Sequence, residues 1–459
     1  MPPTDAPPMP RRPIIGGVTP ARVLAAETLA DLRKGFLLDP SFERRAGGLD
    51  ARDRRWAQEL LWGTLRKRGW LDALLAARVS GGLARLDADV IDLLRLGAYQ
   101  LLEMTSVPPY AAIAQTVELA KRRHGIGASK LVNAVLRRLE RDRAAHGAES
   151  LAGVVPADAR EALAARHSHP QWLVERWADR WPLDEVEALL AANNREAPVV
   201  ARPWGLSADA LAAELTAAGV RLAEPAPGTV WARDSLQLAP GAALTELGAF
   251  RQGHFHVQDP ASTLVTQYAA FPEGATVADL CAAPGGKALE LSRTAAVVYA
   301  GDRSYVRLQR VRANLRRLAV ENVIPFVGDA REPAVGAVDA LLLDAPCTGT
   351  GTFRRHPDAR WRLKPSDMAV MPALQRQILR AAARIVKPGG LLVYSTCSIE
   401  PEENDAPVDD FLATHPEWTP EPPPAGAVPD AVLDGGRLRV LPQRHGVDGA
   451  FAVRLRRAG

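Results

Sequence analysis

Cysteine is scarce in this chain, with three in 459 residues. Three cysteines cannot form a disulfide framework, and none has the spacing of a zinc site, so we expect a reducing cytoplasm and no bound metal. No apolar run approaches the roughly 20 residues that span a bilayer, and residues 1–13 lack the apolar core of a signal peptide. With 47% hydrophobic and 24% charged residues, the composition indicates a globular protein that is neither exported nor embedded in a membrane.

Lysine is also rare, since only seven of the 57 basic residues are lysine and 50 are arginine. An arginine surplus suits bidentate contacts with phosphate, but genome composition explains it equally well. Residues 1–150 carry 24 basic and 17 acidic residues, whereas the remainder carries 33 and 36. The basic surplus therefore belongs to the N-terminal third, where it is compatible with a nucleic-acid partner without demonstrating one.

At roughly 150 residues per domain, the length predicts two to three domains. Six of the first thirteen residues are proline, a composition typical of disorder. Five segments are predicted: a disordered leader (1–19), a helical domain (20–145), a polar and Ala-rich linker (146–170), a small α+β module (171–256) and an α/β domain (257–459).

Hydrophobic spacing supports this division. Ile91, Leu94, Ala98 and Leu101 share one face of a predicted helix in the N-terminal domain. In the small module, helices are predicted over 172–194 and over 208–218, the second ending at a glycine. The C-terminal part alternates short apolar strands with helices: strands are predicted at 277–280, 297–300, 323–327, 340–343 and 391–394, with helices at 306–318 and 374–386. This alternation predicts a doubly wound, mostly parallel sheet of seven strands, closed by strands at 437–441 and 450–455.

A glycine-rich turn follows the first of these strands. In an open α/β sheet the ligand lies at the carboxyl ends of the strands, and small residues there let the backbone approach a ligand closely. The turn is neither GxGxxG nor a Walker loop, so a tight structural turn is an equally simple interpretation. Its residues are Cys281, Ala282, Ala283, Pro284, Gly285, Gly286 and Lys287.

Acidic residues follow the first four strands. Asp302 lies 23 residues past Asp279, where a carboxylate holds the ribose hydroxyls of nucleoside cofactors. Asp329 is placed to contact an adenine amino group, and Asp344 closes the fourth strand. A helix cap or a turn is the usual role of an aspartate at a strand end, but four consecutive strands that end in acids favour a ligand site.

Two cysteines follow neighbouring strands at the same edge. Cys347 lies in Asp-Ala-Pro-Cys-Thr-Gly after the fourth strand, and Cys397 lies in Ser-Thr-Cys-Ser after the fifth. Free cysteine is often merely buried, but neither sequence context is apolar. An unperturbed thiol is only about 3% ionised at pH 7, so a nucleophilic cysteine needs nearby positive charge, which residues 354–356 (Arg-Arg-His) could supply.

These segments resemble a known enzyme family. DLCAAPGGK, DAPCTGTG, RRHPDARW and STCSIEPEEN occur in the order found in the Sun-type RNA cytosine-5 methyltransferases. The helical third, with TVELAKRRHGIGASKLVNAVLRR, resembles the NusB-like domain that precedes the catalytic domain in the branch acting on bacterial 16S ribosomal RNA. One departure is Asp448-Gly449-Ala450-Phe451, where the family pattern has two aromatic residues after the glycine.

The resemblance implies roles for the site residues. Cys397 is the nucleophile that adds to carbon 6 of cytosine, Cys347 assists release, and Asp344 holds the pyrimidine edge. S-adenosylmethionine occupies the 281–287 loop with Asp302, Asp329 and Asp344, and Cys281 contributes only as a small loop residue. The presence of both a Pro-Cys and a Thr-Cys motif argues against two other classes of methyltransferase. DNA cytosine-5 methyltransferases use the cysteine of the Pro-Cys motif as nucleophile and lack the Thr-Cys motif. Amino-methylating enzymes carry Pro-Pro-aromatic in place of Pro-Cys.

The expected partner is RNA, held by the basic N-terminal domain, with the target cytosine taken from a loop or single strand. The resemblance favours 16S ribosomal RNA, a monomer and a cytoplasmic location. Two alternatives are transfer RNA as the substrate of the same chemistry, and a non-catalytic antitermination factor that keeps only the NusB-like function.

Overall fold

The computed structural model describes residues 17–146 and 158–459, which divide into two compact units, Met1–Leu190 and Ala191–Gly459. Most of the predicted leader lies outside the described residues, and the first helix begins at Pro20. Within the described ranges, no helix is both long and apolar enough to cross a membrane. Nor do these ranges bring three or more His, Cys, Asp or Glu side chains together in a way that could hold a metal ion.

The first unit is helical, as the spacing predicts. Of the predicted apolar face, Leu94, Ala98 and Leu101 are buried in one core, while Ile91 is half-buried. The longest helix has non-helical backbone at Gly125, where φ is +80°. The helices of this domain are α1 (Pro20–Arg33), α2 (Leu38–Ala46), α3 (Ala51–Arg66), α4 (Arg68–Ala76), α5 (Ala88–Leu102) and α6 (Pro109–His146).

The segment predicted as a linker contains a further helix, α7 (Ala159–Arg166). The Asp158 carboxylate accepts hydrogen bonds from two amides of its first turn, and Leu163 and Ala164 are buried. The sequence did not predict it because eight residues with Leu163 as the one large apolar side chain make too short a pattern. The helix predicted over 172–194 is instead two, α8 (Gln171–Ala178) and α9 (Leu183–Asn194), because Pro182 lies between them.

The second unit opens with a small three-stranded antiparallel sheet. Its strands are β1 (Val199–Pro203), β2 (Leu236–Leu238) and β3 (Phe255–Val257), in the order β2-β1-β3. Two helices accompany it, α10 (Ala208–Ala217) and α11 (Gly248–Arg251). Leu211, Leu215 and Phe255 are fully buried in its core.

The large sheet has nine strands. Five central parallel strands and two antiparallel ones make the predicted seven-stranded sheet, and two short strands, β9 and β10, extend it. The strands are β4 (Thr276–Asp279), β5 (Val297–Asp302), β6 (Val323–Val327), β7 (Val338–Asp344), β8 (Val386–Thr396), β9 (Trp418–Pro420), β10 (Leu433–Asp434), β11 (Arg437–Val440) and β12 (Ala450–Arg457).

The strand order is β10-β11-β12-β8-β7-β4-β5-β6, with β9 paired to β12. The chain winds from β4 through β5 to β6, and then returns to β7 on the other side of β4. A ligand in such a sheet binds where the winding reverses, outside the carboxyl ends of the strands. Here that point lies between β4 and β7, which end at Asp279 and Asp344.

Helices cover both faces of the large sheet, which confirms the predicted doubly wound, Rossmann-like fold. Alternate residues of β7 divide between two cores: Leu342 packs with Leu289 and Leu308, whereas Leu341 packs with Leu379 and Phe411. The helices are α12 (Pro260–Ala269), α13 (Gly286–Leu291), α14 (Tyr305–Arg317), α15 (Ala359–Arg362), α16 (Asp367–Arg384), α17 (Asp405–Thr414) and α18 (Pro442–His445).

Candidate active site

The two cysteines predicted to react lie side by side. Strands β7 and β8 pair in parallel with Asp344 opposite Ser395, so the loops that follow them leave the sheet at the same edge. The Sγ atoms of Cys347 and Cys397 are 3.3 Å apart, and both residues are half-buried. This distance is within hydrogen-bond range for sulfur, so one thiol can donate its proton to the other sulfur as a thiolate.

Their surroundings make Cys397 the more acidic of the two. The hydrogen bond from Cys347 lowers the pKa of Cys397 against the opposing effects of burial and of the Asp344 charge, and Lys287 and His356 lower it further. The same hydrogen bond, together with burial, raises the pKa of Cys347 well above its usual value. Cys397 is therefore the thiol of the pair that loses its proton more easily.

Asp344 is held by two neighbours beside this pair. Its Oδ2 atom lies 2.8 Å from Lys287 Nζ, and its Oδ1 atom accepts a hydrogen bond of 2.9 Å from Ser395 Oγ. Burial opposes the charge of Lys287, but the attraction of Asp344 outweighs it and raises the pKa of the lysine. Lys287 is thus a fixed cation that serves Asp344 and Cys397 together.

The glycine-rich turn brings the backbone close to the sheet edge. Gly285 precedes α13 with φ of +108°, a conformation that favours glycine. A Cβ on Gly285 would lie 3.2 Å from Val311, and one on Gly286 would lie 3.1 Å from Gln258. Cys281, by contrast, is partly buried against the sheet core, and burial raises the pKa of its thiol, so it stays protonated.

Asp279 is fully buried at the end of β4. Its Oδ1 atom accepts a weak hydrogen bond of 3.3 Å from the Cys281 amide, while its Oδ2 atom has no hydrogen-bond partner among the described residues. Burial and the nearby Asp344 raise the pKa of Asp279 to about 7. A buried carboxylate oxygen without a donor is rare in folded proteins, and the raised pKa lets Asp279 hold a proton there.

The structure brings Asp302 and Asp329 to the same end of the site. Asp302 accepts hydrogen bonds from the amides of Ala283 (3.3 Å) and Ser304 (2.8 Å), so it ties the glycine-rich turn to β5. Asp329 lies two residues beyond β6, where Arg331 pairs with it at 2.6 Å and lowers its pKa to about 2. Both carboxylates thus have partners within the protein, Asp302 two backbone amides and Asp329 the Arg331 guanidinium.

Arg354 and Arg355 do not supply the positive charge for the cysteines that the sequence suggested. Both are paired with Asp259 and Asp448: Arg354 lies 2.7 Å from Asp259, and Arg355 lies 2.6 Å from Asp448. Each arginine also contacts the other aspartate. Their charges are neutralised in this buried cluster, and Lys287 with His356 acts on Cys397 instead.

Two glycines fix the loop that contains Cys347. The Gly351 amide donates to the Cys397 carbonyl at 3.0 Å, and the Gly449 amide donates to the Gly351 carbonyl at 2.8 Å. A Cβ on either glycine would lie 2.7 Å from the Cα atom of the other. The missing aromatic after Asp448-Gly449 thus leaves this backbone contact intact.

Three consecutive basic residues of α6, Lys121, Arg122 and Arg123, are partly neutralised by acidic side chains. Arg122 pairs with Glu118 at 2.9 Å and Arg123 with Asp89 at 2.7 Å, whereas Lys121 is exposed. Of these three residues, Lys121 has no acidic partner among the ion pairs of the described residues.

Comparisons with known proteins cover nearly the whole chain. Residues 19–141 match the NusB family, residues 169–241 match the ferredoxin-like domain of RsmF/B-like methyltransferases, and residues 267–456 match the 16S rRNA methyltransferase RsmB/F family. The second match spans α8 to β2 of the small module and ends before β3.

Curated relatives match over the same extent. The probable ribosomal RNA small subunit methyltransferase B of Synechocystis is 34% identical over 95% of this chain and 99% of its own length. The ribosomal RNA small subunit methyltransferase B of Sodalis glossinidius is 36% identical over 95% of this chain and 97% of its own. Among solved structures, PH0851 superposes with a TM-score of 0.77 at 26% identity, covering 95% of this chain and 99% of that one.

Proposed function

Because this chain belongs to the ribosomal RNA small subunit methyltransferase B family, we propose that it transfers a methyl group from S-adenosylmethionine to carbon 5 of a cytosine in 16S ribosomal RNA. The observation that carries the proposal is the pair of sulfurs at 3.3 Å, of which Cys397 has the lower pKa. A thiolate at the sheet edge is what this reaction requires, since carbon 5 of cytosine is a poor nucleophile until a thiolate adds to carbon 6.

The residues near the carboxyl ends of β4 and β7, where the winding of the sheet reverses, fit the cofactor. The glycine-rich turn leads into the N-terminus of α13 at the sheet edge, and Asp302 at the end of β5 suits ribose hydroxyls. We assign the binding site to the residues predicted from sequence, with Asp329 toward the adenine end. S-adenosylmethionine supplies, when bound, the electrophilic methyl group that carbon 5 accepts.

Cys397 opens the reaction. Its Sγ atom forms a bond to carbon 6 of the flipped cytosine, and the electron pair of the 5,6 double bond becomes available at carbon 5. Asp344, held by Lys287 and Ser395, holds the ring-nitrogen edge of the base. A base at this edge must leave its stack, so the target is in a single strand or loop.

Cys347 closes the reaction. Before addition, the sulfur of Cys397 accepts a hydrogen bond from the Cys347 thiol, which keeps the pKa of Cys347 high. Once Cys397 is a thioether, its sulfur carries no negative charge, so Cys347 ionises more readily. Its thiolate then takes the proton from carbon 5, the 5,6 double bond reforms, and the bond to Cys397 breaks. The same pair thus supplies a nucleophile first and a base second.

The remaining assignments follow from the domains. The NusB-like helices of the first unit hold flanking RNA through phosphates, with the small three-stranded sheet as a second RNA-binding module. The enzyme works as a monomer in the cytoplasm.

Bisulfite sequencing of total RNA from a deletion strain and its parent tests the substrate. We expect one 16S cytosine to lose its protection from conversion in the deletion strain and to regain it with the wild-type gene but not with Cys397→Ala. An intact 16S pattern with a lost transfer-RNA mark would overturn the assignment to ribosomal RNA. Equilibrium dialysis with labelled S-adenosylmethionine tests the non-catalytic alternative, because an antitermination factor without catalytic function should not bind it.

A further inference from the structure

Glu403 is a buried carboxylate between the two cysteine loops. It lies in the segment that joins β8 to α17 and is fully shielded from solvent. Its Oε1 atom accepts hydrogen bonds from the Thr348 amide at 2.8 Å and from Gln375 Nε2 at 3.1 Å. Its Oε2 atom accepts from the hydroxyls of Thr348 and Ser398. Burying a carboxylate is costly, and four donors offset that cost here.

The donors come from both loops. Thr348 follows Cys347 directly and Ser398 follows Cys397 directly, so one carboxylate holds the backbone next to each sulfur. Gln375 of α16 adds a second constraint, because its Nε2 atom also donates to the Pro346 carbonyl at 2.9 Å. The loop that contains Cys347 is therefore held on both sides of the cysteine.

The position of Glu403 also matters electrostatically. The groups that raise the pKa of Cys347 are first the hydrogen bond to Cys397 and burial, and then the charges of Cys397, Glu403 and Asp344. Lys287 and His356, in contrast, lower the pKa of Cys397. Burial raises the pKa of Glu403 itself, and the hydrogen bonds from its donors oppose that shift. A charge on Glu403 disfavours a thiolate on Cys347, while Lys287 and His356 favour one on Cys397.

We propose that Glu403 is a positioning residue that fixes the spacing of the two sulfurs and makes Cys397, rather than Cys347, the attacking one. The inference rests on the proposed function for its catalytic meaning, but its physical content concerns the free enzyme. Glu403 touches neither the base nor the cofactor in this scheme. It acts through Thr348 and Ser398.

Competitive alkylation of the full-length enzyme tests this without any RNA. Limiting iodoacetamide at pH 7, followed by mass spectrometry of both peptides, gives the ratio of modification at Cys397 to that at Cys347. We expect the wild-type ratio to exceed about 10, since alkylation follows the thiolate fraction. In Glu403→Gln, which keeps the side-chain shape and removes the charge, the ratio should fall at least about fivefold.

Two further measurements complete the test. The exposed Glu417 provides the control, and Glu417→Gln should keep the wild-type ratio. Single-turnover methylation by Glu403→Gln should slow about tenfold or more with the affinity for S-adenosylmethionine unchanged. If Glu403→Gln does not fold, Thr348→Val, which removes only one hydroxyl donor, should lower the ratio by about twofold or more.

A folded Glu403→Gln with a wild-type alkylation ratio would overturn the proposal, as would an unchanged ratio in Thr348→Val if Glu403→Gln is unfolded. The outcome is separable from that of the proposed function. An altered ratio in an enzyme that leaves 16S ribosomal RNA unmodified would support the role of Glu403 and refute only the substrate.

Discussion

Lys287 Nζ and Asp344 Oδ2 lie 2.8 Å apart, which joins the first turn of α13 to the end of β7 across the switch point of the sheet. One residue comes from the predicted cofactor loop and the other from the predicted base-binding position. The two halves of the site are therefore linked by a single ion pair, and the cation of that pair also favours the thiolate of Cys397.

Removal of this cation should weaken the nucleophile. In Lys287→Met the pKa of Cys397 rises because a nearby positive charge is lost, so single-turnover methylation should slow about tenfold or more at pH 7 and recover partly at pH 9. Lys387→Met is the control, since Lys387 pairs with Asp339 on the half-exposed surface of the same unit. A pH profile unchanged in Lys287→Met would contradict the assigned role.

The two cysteines should fail in different ways. Cys397→Ala should lose methyl transfer, because no thiolate remains to add to carbon 6. Cys347→Ala should instead accumulate a covalent protein–RNA complex, seen as a slowly migrating band on a denaturing gel, because the proton on carbon 5 is not removed. The double variant is the control and should give no band. If Cys347→Ala turned over without a covalent complex, its role in release would be refuted.

The buried cluster of two arginines and two aspartates should matter for stability. Asp448→Ala leaves Arg354 and Arg355 with one acid between them, and breaking a buried charge pair costs about 3–5 kcal/mol. Urea unfolding measures the loss. Asp434→Ala removes an exposed partner of Arg439 and should cost less than about 1 kcal/mol. Equal losses in the two variants would show that the cluster contributes little.

Asp279 should make stability depend on pH. Its pKa is about 7 in the folded chain against an ordinary value of 3.8, so the folded state holds an extra proton between these values and loses stability as the pH rises through that window. Asp279→Asn cannot ionise, and it should be more stable than the wild type by about 4 kcal/mol at pH 8 and similar at pH 4.

Urea unfolding of both proteins across this pH range measures the difference. Asp339→Asn serves as the control: pairing with Lys387 lowers the pKa of Asp339, so this variant should not gain stability as the pH rises. Parallel stability profiles for the wild type and Asp279→Asn would mean that Asp279 ionises freely.

Much of the catalytic fold could be predicted because its signals are local. An apolar run such as that of β7 forms a buried strand wherever it occurs, and parallel strands then place their carboxyl ends at one edge. Cys347 and Cys397 meet for this reason, although 50 residues separate them. The alternation of helices and strands was thus sufficient to predict where the site lies.

The partners of the site residues could not be predicted in the same way. Arg354 and Arg355 are close in sequence to Cys347, but they pair with Asp259 and Asp448, more than ninety residues away on either side. Glu403 lies within the STCSIEPEEN motif, yet its burial depends on how the two cysteine loops pack with α16. Charge pairing across such distances leaves no periodic pattern in the sequence.

The last strand of the chain has a genetic consequence. β12 pairs with β8 along Leu391–Thr396, which leads directly into Cys397, and it lies within the final ten residues. A nonsense or frameshift mutation just before codon 450 would spare every residue assigned to catalysis and cofactor binding. It would still remove the neighbour that supports the nucleophile strand, so even late truncations should behave as null alleles.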